Sequence, residues 1–125
     1  MSVPAPIARA RYASVTTYRR DGRPVPTPVG VVADAGELFV LTERTSGKVK
    51  RIRYNATVTV TPCDMSGRVA ADAPMVRGQA RLLDREGTAR VRRLMSRRFP
   101  ISRLVFAADL LLRRRDRRIG IAISL

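Results

Sequence analysis

The chain has 125 residues, 45% of them hydrophobic, and a formal net charge of +15. That length suits a single domain over residues 1–125 with one core, and the hydrophobic share excludes a disordered chain. Histidine is absent, which excludes Ser-His-Asp and Cys-His catalytic sites and any His-ligated metal or haem.

The opening MSVPAPIARARYA has no apolar h-region, so no signal peptide is expected. Residues 13–20, ASVTTYRR, alternate and are β-branched, as a strand requires. Asp21-Gly22 is a hairpin signal, and residues 26–33, PTPVGVVA, form the returning strand. Its prolines place it at an edge or give it an irregular start. Residues 34–36, DAG, turn the chain again into a short apolar strand over residues 37–41, ELFVL, whose pattern fits burial on both faces.

Ser46 is a good N-cap for a helix running to about Asn55, with Val49, Ile52 and Ala56 as a thin apolar stripe. Residues 57–61, TVTVT, are a strand with Val58 and Val60 on one face. Residues 75–83 are another; Gly78 within it implies a bulge or a close backbone approach. Val91, Leu94 and Met95 mark the apolar face of an arginine-rich helix that Pro100 ends. Ile101, Leu104, Val105, Ala108, Leu111 and Leu112 mark a second helix, and residues 118–124, RIGIAIS, close the chain as a strand.

Six short strands, mostly hairpin-linked and flanked by helices, imply an α+β, mainly β fold: a six-stranded antiparallel split β-barrel. No stretch approaches the roughly 20 apolar residues that cross a bilayer. Cys63 is alone, so no internal disulfide forms and a cytoplasmic setting is the expectation. Carboxylates are few, and none pair at acid/base spacing. No metal is expected, no catalytic side chain is identified, and a bound organic cofactor is the expected source of chemistry.

Of 25 basic residues, only Lys48 and Lys50 are lysines, and both fall in the first turn of the Ser46-capped helix. A cation there opposes the helix dipole at a cost of about 0.3–1 kcal/mol. A bound anion reverses that sign by accepting the unpaired N–H groups and neutralising Lys48. Gly47 leaves its approach open, Thr42 and Ser46 add hydroxyls, and Lys50 and Arg51 reach the same region. The bland alternative is a solvated basic helix end with Ser46 as a cap only. A P-loop is excluded, because Thr42 stands where the first glycine belongs and Val49 follows the lysine.

TTYRRDGRPVPTPV, then LTERTSGKVKRIRYNATVTV, then VRGQARLLD resembles the split-barrel flavoproteins related to pyridoxamine 5′-phosphate oxidase. More closely it is similar to the PPOX-class coenzyme F420-dependent oxidoreductases. The resemblance covers residues 13–84, and its best local signal is Thr42, Ser46 and Lys48 leading into a helix that ends at Asn55. It implies that Lys48 and Ser46 hold the cofactor phosphate and that Thr42 lines the same groove. It also implies that Thr27, Pro28 and Val29 run beside the isoalloxazine-like ring, in a homodimer with the cofactor at the subunit interface. Charge extends this to Lys50 and Arg51 meeting an acidic tail. Two departures stand out. Gly47 replaces an arginine, reducing the phosphate grip, and Gly30 replaces an aromatic residue, leaving room over the ring or substrate.

The expected activity is hydride transfer between reduced coenzyme F420 and a small organic substrate, with FMN as the alternative cofactor. Tyr18 and Tyr54 are the candidate proton donors, though both suit packing roles. Two other readings stand beside it: a cofactor-binding barrel without turnover, and a basic nucleic-acid-binding module using residues 90–98 and 113–118. Few aromatics and no recognition motif weigh against the last. A membrane role for LVFAADLLL is opposed by its length and by Asp109.

Overall fold

The computed structural model describes residues 3–100, 104 and 117–125. Helix α1 (Ala5–Arg9) precedes strands β1 (Tyr12–Tyr18), β2 (Pro24–Gly30), β3 (Val32–Asp34) and β4 (Glu37–Glu43). Helix α2 (Gly47–Tyr54), strands β5 (Thr57–Cys63) and β6 (Val76–Leu82), helix α3 (Arg85–Arg98) and strand β7 (Arg118–Ser124) follow. The strands form one seven-stranded sheet in the order β2-β1-β5-β6-β7-β4-β3, antiparallel at every pairing.

This order forces the sheet to curl. In a flat sheet the two outer strands of seven would stand about 29 Å apart, at ~4.8 Å per step. Yet the outer strands β2 and β3 are consecutive and joined by Val31 alone. One residue spans only about 3.8 Å between neighbouring Cα atoms, so the edges must meet there. Val31 is fully buried at the junction, and its N–H donates to the Arg11 carbonyl at 3.0 Å. Sequence reading expects one strand over residues 26–33 and six strands in all. The structure breaks that segment at Val31, where the chain changes partners from β1 to β4, and so has seven strands among the described residues. The split-barrel architecture stands.

The concave face holds the larger core. Val15, Val40, Val58, Val60 and Ile121 are all at most 2% exposed, and Ile7 of α1 and Ile52 of α2 join them. The convex face is covered in part by α3, whose Val91 and Met95 pack on Phe39 and Ala122. Strand β4 therefore buries both faces, as its unbroken apolar run requires. Helix α3 starts at an N-cap, Asp84, whose carboxylate accepts from the Gly87 N–H at 2.8 Å. Its first turn begins before the stripe that the sequence marks.

Strands β3 and β4 meet in a two-residue turn with Ala35 at φ 50° and Gly36 at φ 79°. Positive φ at both positions gives the twist a tight hairpin needs. Helix α1 follows Pro4 and holds Pro6 in its first turn, and it is not evident from the sequence pattern. The helix expected over residues 101–112 lies outside the described residues, except for Leu104, which is helical and exposed. Among the described residues, no helix is long and apolar enough to cross a membrane.

Gly78 marks a close backbone approach. A Cβ there would stand 2.5 Å from the Ser124 carbonyl oxygen, at the end of β7. Backbone in a sheet ladder cannot yield as a flexible side chain does. Gly78→Ala is expected to destabilise the fold by about 1–3 kcal/mol. Urea denaturation should show a lower midpoint with an unchanged slope; an unchanged midpoint would refute the close approach.

Candidate functional site

The site grows from the end of β4. Strand β4 is the return leg of the bent β2–β3 segment, so Thr42 and Glu43 come back toward the end of the barrel where β2 begins. A short turn then leads into α2. Ser46 caps this helix, its hydroxyl accepting from the Val49 N–H at 3.4 Å, and Gly47 is the first helical residue. No acidic side chain occupies the first turn.

Val49 and Ile52 dock α2 onto the barrel end and draw Lys48 inward with them. Lys48 is only 7% exposed, and its ammonium donates to the Thr42 hydroxyl at 3.4 Å. No carboxylate among the described residues pairs with it. Burial pushes its pKa below the usual lysine value, and the neighbouring Arg51 guanidinium pushes it the same way. A buried cation so placed is incompletely compensated by protein alone.

Arg51 adds a second cation at this helix end. Its Nε donates to the buried Thr17 hydroxyl at 2.7 Å. The guanidinium takes the space a side chain at Gly47 would need, since a Cβ there would lie 2.7 Å from Nη1 of Arg51. A cation thus stands beside the first helical residue even though that residue is glycine.

Across from α2 lies the β1–β2 hairpin. Arg19, Arg20 and Arg23 of the hairpin face Gly47, Lys50 and Arg51 of α2 over an open cleft of about 450 Å³. Among the described residues Asp21 is the single carboxylate on its walls, against five cations, and it is already held by the Arg23 Nε at 2.7 Å. Arg20 lies over the Tyr54 ring, 4.8 Å from its centroid. Other carboxylates are engaged elsewhere: Glu37 with Arg81, Asp34 with Arg90, Glu43 with Arg117. The cleft therefore carries an uncompensated positive field, which collects anions.

The residues singled out from sequence divide into three groups. Gly47, Lys50 and Arg51 line the cleft. Lys48 and Thr42 form one buried contact beside it, and Ser46 is the cap. Thr27, Pro28 and Val29 lie on edge strand β2, paired with Val15, Ser14 and Ala13, and do not line the cleft. Strand β2 nevertheless starts immediately after Arg23, so its edge leads away from the same cleft. Gly30 does not leave room as expected: the Phe99 ring fills the space, its edge 3.2 Å from where a Cβ would stand. Sequence reading passed over Arg19, Arg20 and Arg23. The signal was three arginines around one Asp-Gly turn, but only the fold puts that turn opposite α2.

Of the two tyrosines considered as proton donors, Tyr18 is hydrogen-bonded to the Thr59 hydroxyl at 2.7 Å, and Tyr54 underlies Arg20. Among the described residues, no group of His, Cys, Asp and Glu side chains is placed to hold a metal.

The sequence profile of the pyridoxamine 5′-phosphate oxidase family matches residues 3–114. No curated protein sequence matches the chain. Among solved structures, an F420 reductase superposes with a TM-score of 0.67 and 19% identity, over 99% of this chain and 93% of its own. A conserved hypothetical protein from Mycobacterium tuberculosis gives 0.70 and 20%, over 98% and 79%. HutZ, described as the heme storage protein from Vibrio cholerae, gives 0.68 and 15%, over 93% and 82%. At these identities the likeness concerns the fold.

The buried lysine has a measurable consequence. Its folded pKa lies below the ordinary 10.5, so its charge costs stability at every pH below the folded value. That cost disappears as pH rises from the folded pKa through the unfolded one. Lys48→Met should therefore stabilise the ligand-free protein by about 1–2 kcal/mol near neutral pH. The advantage should shrink as pH climbs toward ~10.5. Thermal unfolding of both proteins across pH tests this; destabilisation by the substitution at neutral pH would show that the ammonium is well compensated.

Proposed function

This chain belongs to the pyridoxamine 5′-phosphate oxidase family, and we propose that it binds coenzyme F420 and works as a deazaflavin-dependent oxidoreductase. The family includes oxidoreductases, and one structural neighbour is an F420 reductase. The observation that carries the reading is the cleft at the amino end of α2, with five cations against one carboxylate. Beside it stands a buried lysine with no counter-charge among the described residues.

The residues fit a phosphorylated ligand. Free N–H groups at the start of α2, Lys48 behind them, and Arg51 over Gly47 together suit a phosphate. A single phosphate monoester does not exhaust five cations. A ligand with further carboxylates, as coenzyme F420 has in its oligoglutamate tail, uses Arg19, Arg23 and Lys50 as well. FMN offers only the phosphate and is the alternative cofactor. The edge of β2 at Thr27–Val29 supplies a wall for the ring, and a second copy of the chain completes the groove from the other side.

When bound, the deazaflavin supplies the hydride chemistry. The chain's own residues grip and orient the ligand. No described side chain is placed as an evident proton donor, so the substrate or solvent provides protons. A haem-storage role, as described for HutZ, has no histidine in this chain to ligate iron. The alternative nucleic-acid reading rests on residues 90–98 and 113–118, of which 113–116 lie outside the described residues, and the chain offers few aromatic rings for bases to stack on.

Titration of the protein with coenzyme F420 and FMN, followed by their fluorescence, tests the proposal. Coenzyme F420 should bind more tightly than FMN, and its binding should weaken as salt rises. Lys48→Ala and Arg51→Ala should each weaken it about tenfold or more, the scale of a lost charge-assisted hydrogen bond. Equal, weak binding of both cofactors by wild type and variants would reject the reading. The dimer is checked by light scattering, where a strict monomer at micromolar concentration would contradict it.

A further inference from the structure

Thr17 breaks the apolar pattern of the barrel core. It continues the row of Ala13 and Val15 on β1, both buried in the larger core, and it is itself fully buried. A valine has nearly the same shape, so packing alone does not call for a hydroxyl there. A buried hydroxyl needs a hydrogen-bond partner. Its partner is Arg51, 34 positions along the chain, whose Nε donates to Oγ1 of Thr17 at 2.7 Å.

This bond is made at the inner end of the guanidinium, and it decides where the outer end goes. Arg51 follows Gly47 by four residues on α2, about one turn. Its Nη1, Cζ and Nη2 stand 2.7, 3.5 and 3.7 Å from where a Cβ of residue 47 would be. The fork therefore lies against the first residue of the helix, on the wall of the cationic cleft. Among the described residues, no group accepts from Nη1 or Nη2.

Arg51 would not take this place for its own stability. An unanchored arginine gains rotamer freedom by swinging into the open cleft beside it. Here it is held near Lys48, where the two cations repel and the Lys48 pKa is lowered further. Asp21 does not offset them, because it is bound to Arg23. Thr17 offers a neutral oxygen, which fixes the direction of the guanidinium without cancelling its charge.

We infer that Thr17 is the positioning residue of the phosphate site: it locks Arg51 through Nε, so that Nη1 and Nη2 stay at the amino end of α2, ready for the phosphate of a bound coenzyme. Thr17 does not touch the ligand and acts only through Arg51. Gly47 completes the arrangement by leaving the space that the fork occupies. The inference rests on the proposed cofactor reading and adds how its grip is held ready. A fork fixed beforehand loses less freedom on binding than a mobile one.

The test titrates the full chain with coenzyme F420 and FMN, both of which carry a phosphate, by fluorescence. Thr17→Val should bind each about three- to tenfold more weakly, the scale of one hydrogen bond. Thr17→Ser keeps the hydroxyl and should bind as wild type does. In an Arg51→Ala background, Thr17→Val should cause no further loss, whereas a merely structural role would give the same loss in both backgrounds. Arg51→Lys keeps the charge but lacks both Nε and the fork, and should also lose about three- to tenfold. It decides the matter if Thr17→Val does not fold. Unchanged affinity in a folded Thr17→Val protein would overturn the inference, as would an equal loss in the Arg51→Ala background or wild-type affinity in Arg51→Lys. Each of those results leaves the cofactor reading standing. If wild type binds neither coenzyme, that reading itself fails, and this inference falls with it.

Discussion

A lysine ammonium held inside the protein, with a threonine hydroxyl as its hydrogen-bond partner, is the constraint from which the functional account follows. Lys48 is drawn in because Val49 and Ile52 dock α2 on the barrel end, and the helix cannot bury those two and expose residue 48 freely. Its charge opposes the helix dipole, and Arg51 adds to the excess. Proteins rarely retain such an arrangement for stability, since a buried charge without its partner is costly. An anionic ligand at the helix start turns each of these unfavourable terms into a favourable one.

The barrel's connectivity delivers the other half of the site. Closure through Val31 makes β2 and β3 one bent segment, and β4 returns along it to α2. The β1–β2 hairpin therefore stands opposite the amino end of α2, and its three arginines face Lys50 and Arg51. None of these contacts is local in sequence, apart from Arg51 over Gly47. The same closure leaves β2 as an edge, with prolines that disfavour strand addition.

Much of this fold was legible in the sequence, and the reasons are physical. Period-two alternation exposed β1 and β5, the Asp-Gly turn exposed the first hairpin, and Ser46 announced α2, because each is a local signal. Gly78 was readable as a close approach, since a glycine inside a strand gives up side-chain packing where another backbone needs the space. The break at Val31 was not, because it reflects where the sheet closes rather than any property of PTPVGVVA. The two glycine departures show the same limit at the site. Gly47 and Gly30 read as losses of an arginine and an aromatic ring. In the folded chain Arg51 and Phe99 occupy those spaces, from four residues away and from another helix. Compensation of that kind is tertiary and leaves no mark in the local motif. Lys48 was legible as a misplaced charge, but its inward turn to Thr42 depends on how α2 docks.

The central claim is that the phosphoryl group of a redox coenzyme sits at the amino end of α2. A crystal structure of the chain grown with coenzyme F420 tests it most directly, because the phosphorus position is visible independently of turnover. The account places that atom within hydrogen-bond reach of the first-turn N–H groups of α2 and the Arg51 guanidinium, with the tail toward Arg19 and Arg23. A phosphorus atom bound instead on the arginines of α3, with the α2 cleft holding only solvent, would contradict it.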